Sequence, residues 1–192
     1  MNPDTLALVT ALRHELHARP ELSGNEAWTK QWLWDFLRGH TAVELHDRGQ
    51  WFFAFRKGAN GKAPIAFRVE MDAIAMDEHI PLPYASRTSG TAHKCGHDGH
   101  CAVLAATALE LDRPGPDRDL YLIFQHAEET GEGARECAGL VRAKGLEEAV
   151  AFPTLAGLAG GTVAIRDGTM NRPPQGMRLS LPVLPLPARV PG

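Results

Sequence analysis

Leu6, Val9, Leu12 and Leu16 recur at three- and four-residue intervals, the spacing that lines apolar side chains along one face of a helix. Asn2 or Asp4 can cap its start. Arg19-Pro20 ends it, because proline cannot continue the hydrogen-bond ladder. A second helix begins after Ser23-Gly24 and closes by Gly39, with Trp28, Trp32, Leu33 and Phe36 as an apolar stripe that reads as core. Beyond it the period shortens. Residues 43–47, 51–57 and 64–71 read as strands, with GANGK at 58–62 as the turn between the last two. In PIAFRVEMDAI, Ala66, Arg68 and Glu70 alternate with Phe67, Val69 and Met71. AVLAATALEL (102–111) is strongly helical, and the helix is expected to start near His100. LYLIF (120–124) is apolar throughout, as in a central strand covered on both faces. Residues 133–144 form another helix, and GTVAIRDG (161–168) a last short strand. Strands alternating with helices predict an α/β fold in three layers, with helices on both faces of one sheet.

The final 22 residues show neither period and hold six of the fourteen prolines. Proline at that density removes backbone donors and blocks regular pairing. Residues 171–192 are therefore expected to be a poorly ordered tail, leaving 1–170 as the folded part. At 192 residues, 44% apolar and 22% charged, the chain has the makeup of one globular domain. A formal charge of −3 gives no basic footprint for nucleic acid or anionic lipid. No apolar run is long enough for a membrane span, and the first residues lack the basic start and unbroken apolar stretch of a signal peptide. Three cysteines, an odd number, suit a reducing compartment better than a disulfide framework. A cytoplasmic protein is expected.

Chemistry concentrates in AHKCGHDGHCAV (92–103), where His93, Cys95, His97, Asp98, His100 and Cys101 fall within nine positions. In an extended or loop backbone Cys95 and His97 project to the same side and can reach one ion. A thiolate beside an imidazole suits zinc or another borderline divalent metal, and Gly96 and Gly99 let the chain turn tightly around it. Thirty residues on, LYLIF runs into Gln125-His126-Ala127-Glu128-Glu129. The crevice beyond the carboxyl ends of strands is where open α/β sheets bind ligands. One of the two glutamates can bind a metal while the other takes a proton from the water that the metal polarises. Asp72, at the end of AFRVEMD, can orient a ligand histidine. Cys101 and Cys137 read as small core residues. Arg13, His14 and His17 carry no signal individually.

Taken together, LRHELHARPELSGNE (12–26), AFRVEMDAI (66–74), LPYASRTSGTAHKCGHDGH (82–100), LIFQHAEETGEGA (122–134) and GTVAIRDGTM (161–170) resemble the amidohydrolase branch of the aminoacylase/carboxypeptidase metallopeptidases. Its familiar members are hippurate hydrolase, N-acyl-amino-acid deacylases and auxin-conjugate hydrolases. The resemblance implies a zinc-exopeptidase type of α/β/α sheet carrying a site for one or two ions of manganese, zinc, nickel or cobalt. It implies Cys95, His97 and Glu129 as ligands, Glu128 as general base and Asp72 as a buried supporting carboxylate; Asp98 and His100 read as supports for the loop and the helix start. The substrates it implies are N-acyl or N-aroyl amino acids.

Two departures stand out. The family's ligand histidine before the GTVAIR-like strand is replaced here by Pro153, which offers no side-chain ligand. The resemblance also stops before the family's lid or dimerisation domain, so an incomplete catalytic domain holding one ion at most is expected. A truncated, inactive metal-binding remnant, or a partner of a longer relative, is the alternative to an active amidohydrolase. An open sheet edge is expected to draw the chain into homo- or hetero-oligomers.

Overall fold

The computed structural model describes residues 1–146 and 148–151, with Ala159 and Thr162. The chain divides into two units, Met1–Thr154 and Leu155–Gly192, and nearly all the described residues belong to the first. Pro153, the tail expected over 171–192 and, apart from Thr162, the strand expected over 161–168 lie outside the described residues.

Helix α1 (Pro3–Ala18) starts as its sequence predicts. Asn2 is the cap, its Oδ1 accepting from the amides of Asp4 at 2.6 Å and Thr5 at 3.4 Å. Val9, Leu12 and Leu16 are buried. Helix α2 (Ala27–His40) buries Thr29, Leu33 and Leu37, while Trp32 is exposed and stacks on Trp28 at 5.5 Å. The aromatic stripe is therefore only partly core. At 3.6 residues per turn, positions 29, 33 and 37 share the inward face, and 28 and 32 fall beside it.

Five strands follow: β1 (Glu44–Asp47), β2 (Phe52–Arg56), β3 (Lys62–Glu70), β4 (Arg118–Gln125) and β5 (Glu148–Ala151), ordered β1-β2-β4-β3-β5. β2 runs antiparallel to β1 and to β4, whereas β3 runs parallel to β4 and to β5. GANGK is thus not a hairpin turn. β4 inserts between β2 and β3, and the amides of Ala59 and Asn60 bond instead to the carbonyls of Pro116 and Asp117. The apolar β4, buried from Leu120 to Gln125, takes the central place that its composition demands.

Helix α3 (His97–Asp112) connects β3 to β4, and α4 (Gly133–Ala143) follows β4. Phe52 stacks on Phe124 at 4.6 Å, with Trp34 of α2 edge-on at 5.5 Å. Ile123 and Gln125, on the opposite face of β4, line a groove with Ala134 and Cys137 of α4. Helices therefore cover both faces, as the three-layer reading requires. Cys101 and Cys137 are buried in this core. Among the described residues no helix is long and apolar enough to cross a membrane.

Candidate metal centre

Because β3 and β4 are parallel, their carboxyl ends meet at one edge of the sheet. The pairing extends one step past β3, where the Met71 amide bonds to the Gln125 carbonyl at 2.9 Å. Asp72 follows, fully buried. Its Oδ2 accepts from the Glu129 amide at 2.9 Å and from Ser23 Oγ at 2.7 Å. One carboxylate thus joins the end of β3 to the turn after β4.

That turn is sharply bent. Ala127 is buried with φ +46°, a left-handed conformation unusual outside glycine. Its amide donates to Oε1 of the buried Glu26 at 2.7 Å, and its carbonyl accepts from Gly133 at 3.2 Å. A Cβ on Gly133 would lie 1.8 Å from the His126 carbonyl oxygen, so only glycine permits α4 to start this close. Glu128 and Glu129 project from the bend with side chains 37% and 30% exposed.

The opposing wall is the start of α3. The helix begins at His97, earlier than the apolar run suggests, after Gly96 in a left-handed conformation. Cys95 and His97 are therefore not neighbours along an extended segment: one lies in the loop and the other is the first residue of the helix. The His97 Nδ1 lies 2.8 Å from the Asp72 carbonyl oxygen and 3.3 Å from Asp72 Oδ1. Both are acceptors, so Nδ1 carries the proton. Nε2 then turns its other side to the glutamates, 3.9 Å from Glu128 Oε2 and 3.9 Å from Glu129 Oε1. One ligand atom from each of these three residues lies within 4.8 Å of the others.

Cys95 sits on the exposed side of the loop. Packing around its sulfur, a hydrogen bond to Glu129 and the nearby Glu128 and Asp72 carboxylates push its thiol up to about 12. His97 is opposed by its burial, but Asp72 and Glu70 outweigh that and hold its imidazolium up to about 9. Burial raises the Glu128 carboxyl, against the pull of His97 and Arg68. A surplus of negative groups facing one imidazole nitrogen and one thiol is what a divalent cation relieves. Among the described residues the group brought together here is His97 with Glu128 and Glu129, without Cys95, and an imidazole with two carboxylates fits zinc or a similar borderline ion.

Glu70, His97 and His100 form a second acidic and imidazole group. Here Glu70 Oε2 lies 3.0 Å from His100 Nδ1, and Glu70 Oε1 lies 2.6 Å from Arg68 Nη1. A guanidinium already answers this carboxylate, so the group braces the foot of α3. Sequence reasoning singled out Asp72 and His100 as supporting groups but passed over Glu26, Ser23 and Glu70. The first two lie in the 12–26 stretch of the resemblance, which was the available signal.

Residues 66–172 match the family model for peptidase family M20/M25/M40. The chain belongs to this family of metal-dependent hydrolases. It is 36% identical over 131 residues to an N-acyl-L-amino acid amidohydrolase of Geobacillus stearothermophilus, covering 67% of this chain and 35% of that protein. It is 32% identical over 164 residues to an N-acetylcysteine deacetylase of Bacillus subtilis, covering 83% of this chain and 43% of that protein. The fold matches the Bacillus subtilis YXEP protein, a dinuclear metal-binding peptidase of the M20 family, with TM-score 0.82 and 30% identity over 87% of this chain and 48% of the other. The chain therefore spans less than half the length of these relatives.

Proposed function

We propose that this M20-family chain is a metal-dependent amidohydrolase of N-acyl or N-aroyl amino acids, working in the cytoplasm. The observation that carries the reading is the His97 imidazole. Its Nδ1 is committed to Asp72, and its Nε2 faces two carboxylates at a separation too long for a hydrogen bond but suited to a shared ion. Cys95, His97 and Glu129 would hold the ion, with Asp72 fixing the His97 ring and His100 bracing the helix that carries it. A divalent ion held there, manganese, zinc, nickel or cobalt, supplies Lewis-acid polarisation of an amide carbonyl and of water.

Glu128 is the group left to move protons. It lies beside the ligands, is partly exposed, and is held above the usual carboxylate range by burial. It can therefore take a proton from the attacking water and return it to the departing nitrogen. The amidohydrolase and deacetylase named above act on N-acyl substrates, which supports the substrate class.

A second reading, metal binding without turnover, is favoured by Pro153 standing where the family places a ligand histidine. Incubating the metal-loaded chain with hippurate and several N-acetyl amino acids separates the two. Turnover that Glu128→Gln abolishes supports the enzyme, and a bound ion with no turnover supports the second reading.

A further inference from the structure

Behind the metal centre lies a polar cluster that the chemistry above does not use. His17, on the last turn of α1, is buried, and each of its ring nitrogens meets a carboxylate. Nδ1 lies 2.9 Å from Asp98 Oδ2, and Nε2 lies 3.1 Å from Glu78 Oε2. Both acidic side chains are themselves buried, at 1% and 3% exposure. Arg13 Nε reaches the same Asp98 oxygen at 3.1 Å. Glu78 also accepts from Lys94 Nζ at 2.6 Å and from the Ser86 amide at 2.8 Å.

The places of Lys94 and Asp98 in the chain give the cluster its meaning. They bracket Cys95, Gly96 and His97. Lys94 is tied to Glu78, Asp98 is tied to His17, and His17 joins Glu78 to Asp98. Both ends of the three-residue turn are therefore anchored to a single pair of buried side chains. Gly96, in the left-handed region without a side-chain cap, gives that turn little stiffness of its own. Stability alone is a poor reason for the cluster, because apolar groups of similar volume often replace buried ion pairs at no cost. What the cluster supplies is geometry.

We propose that His17 is a positioning residue for the metal-binding turn: its bridge between Asp98 and Glu78 fixes the segment that presents Cys95 and His97. This rests on the reading of Cys95 and His97 as ligands. Contacts that orient ligands are worth about 10- to 100-fold in metal affinity, and the same loss is expected here.

The test is a Co(II) titration of the full chain, read by its visible absorption bands. It uses the wild type, His17→Gln, His17→Ala, Glu78→Gln and, as a control, Leu12→Ala. Leu12 is buried on the same helix but has an apolar side chain and takes no part in the cluster's hydrogen bonds. His17→Gln and Glu78→Gln should each weaken Co(II) binding about 10-fold or more and alter the bands. Leu12→Ala should lower the melting temperature yet leave affinity and bands unchanged. If His17→Ala does not fold, the two glutamine variants decide the matter. Wild-type affinity and bands in both would overturn the proposal, as would an equal loss in Leu12→Ala. A wild-type chain that binds no Co(II), or whose binding survives both Cys95→Ser and His97→Ala, would instead remove the metal centre itself, and this inference with it.

Discussion

The Nδ1 of His97 lies 2.8 Å from the carbonyl oxygen of Asp72, and this contact decides where the other nitrogen points. With Nδ1 committed, Nε2 faces Glu128 and Glu129, each 3.9 Å away.

The first prediction concerns pH. In the metal-free chain the proton on His97 is retained up to about 9, against an ordinary value of 6.5. An incoming ion must displace it. Metal affinity, measured by competition with a chelator, should therefore rise steeply from pH 6.5 to about 9 and more gently above it, where only the Cys95 thiol, held up to about 12, still has a proton to lose. The same shift stabilises the metal-free fold. Its contribution is fully present below 6.5 and is lost as pH rises through about 9. Melting temperatures of the metal-free chain should fall across that window, and Asp72→Asn should flatten the fall.

The acid limb has a different origin. Burial would raise the Glu78 carboxyl, but Lys94, the Ser86 amide and His17 together hold it down at about 2, against an ordinary 4.5. A depressed carboxylate contributes stability that is present above 4.5 and is lost as pH falls towards 2. Glu78→Gln should shrink the difference in melting temperature between pH 5 and pH 3. An unchanged difference would show that other carboxylates govern acid unfolding.

Glu26 should matter more than its position in the sequence suggests. Its Oε1 is the acceptor for the Ala127 amide at 2.7 Å, and both residues are buried. Glu26→Ala leaves that amide unpaired, at a cost of about 1–3 kcal/mol, and loosens the bend that carries Glu128 and Glu129. Glu26→Gln keeps an acceptor and should recover most of the loss. Urea unfolding of the three chains measures both effects.

Most of the architecture was legible from periodicity. The buried face of α1, the positions of β1 to β3 and the central β4 follow from local spacing and composition, whereas β5 (Glu148–Ala151) had no such signal. Pairing was not legible. GANGK joins consecutive strands with a turn-like sequence, yet β4 separates them, because non-local burial outweighs a short-range turn signal. The start of α3 was placed too late for a related reason: the apolar run begins at Ala102, whereas the helix begins at His97 with polar residues held by distant partners. The ligands stood out because cysteine, histidine and glycine crowd one loop. His17, Glu26 and Glu78 did not, since each acts through a partner more than fifty residues away, and no local pattern marks such a residue.

The central claim divides two adjacent glutamates: Glu129 binds the ion, and Glu128 moves the proton. Metal content after dialysis at saturating Zn(II), compared among wild type, Cys95→Ser, His97→Ala, Glu129→Gln and Glu128→Gln, tests it most directly. The account predicts about one ion per chain in the wild type and in Glu128→Gln, with loss of the ion in the other three. Loss of the ion in Glu128→Gln, or its retention in Glu129→Gln, would contradict the assignment.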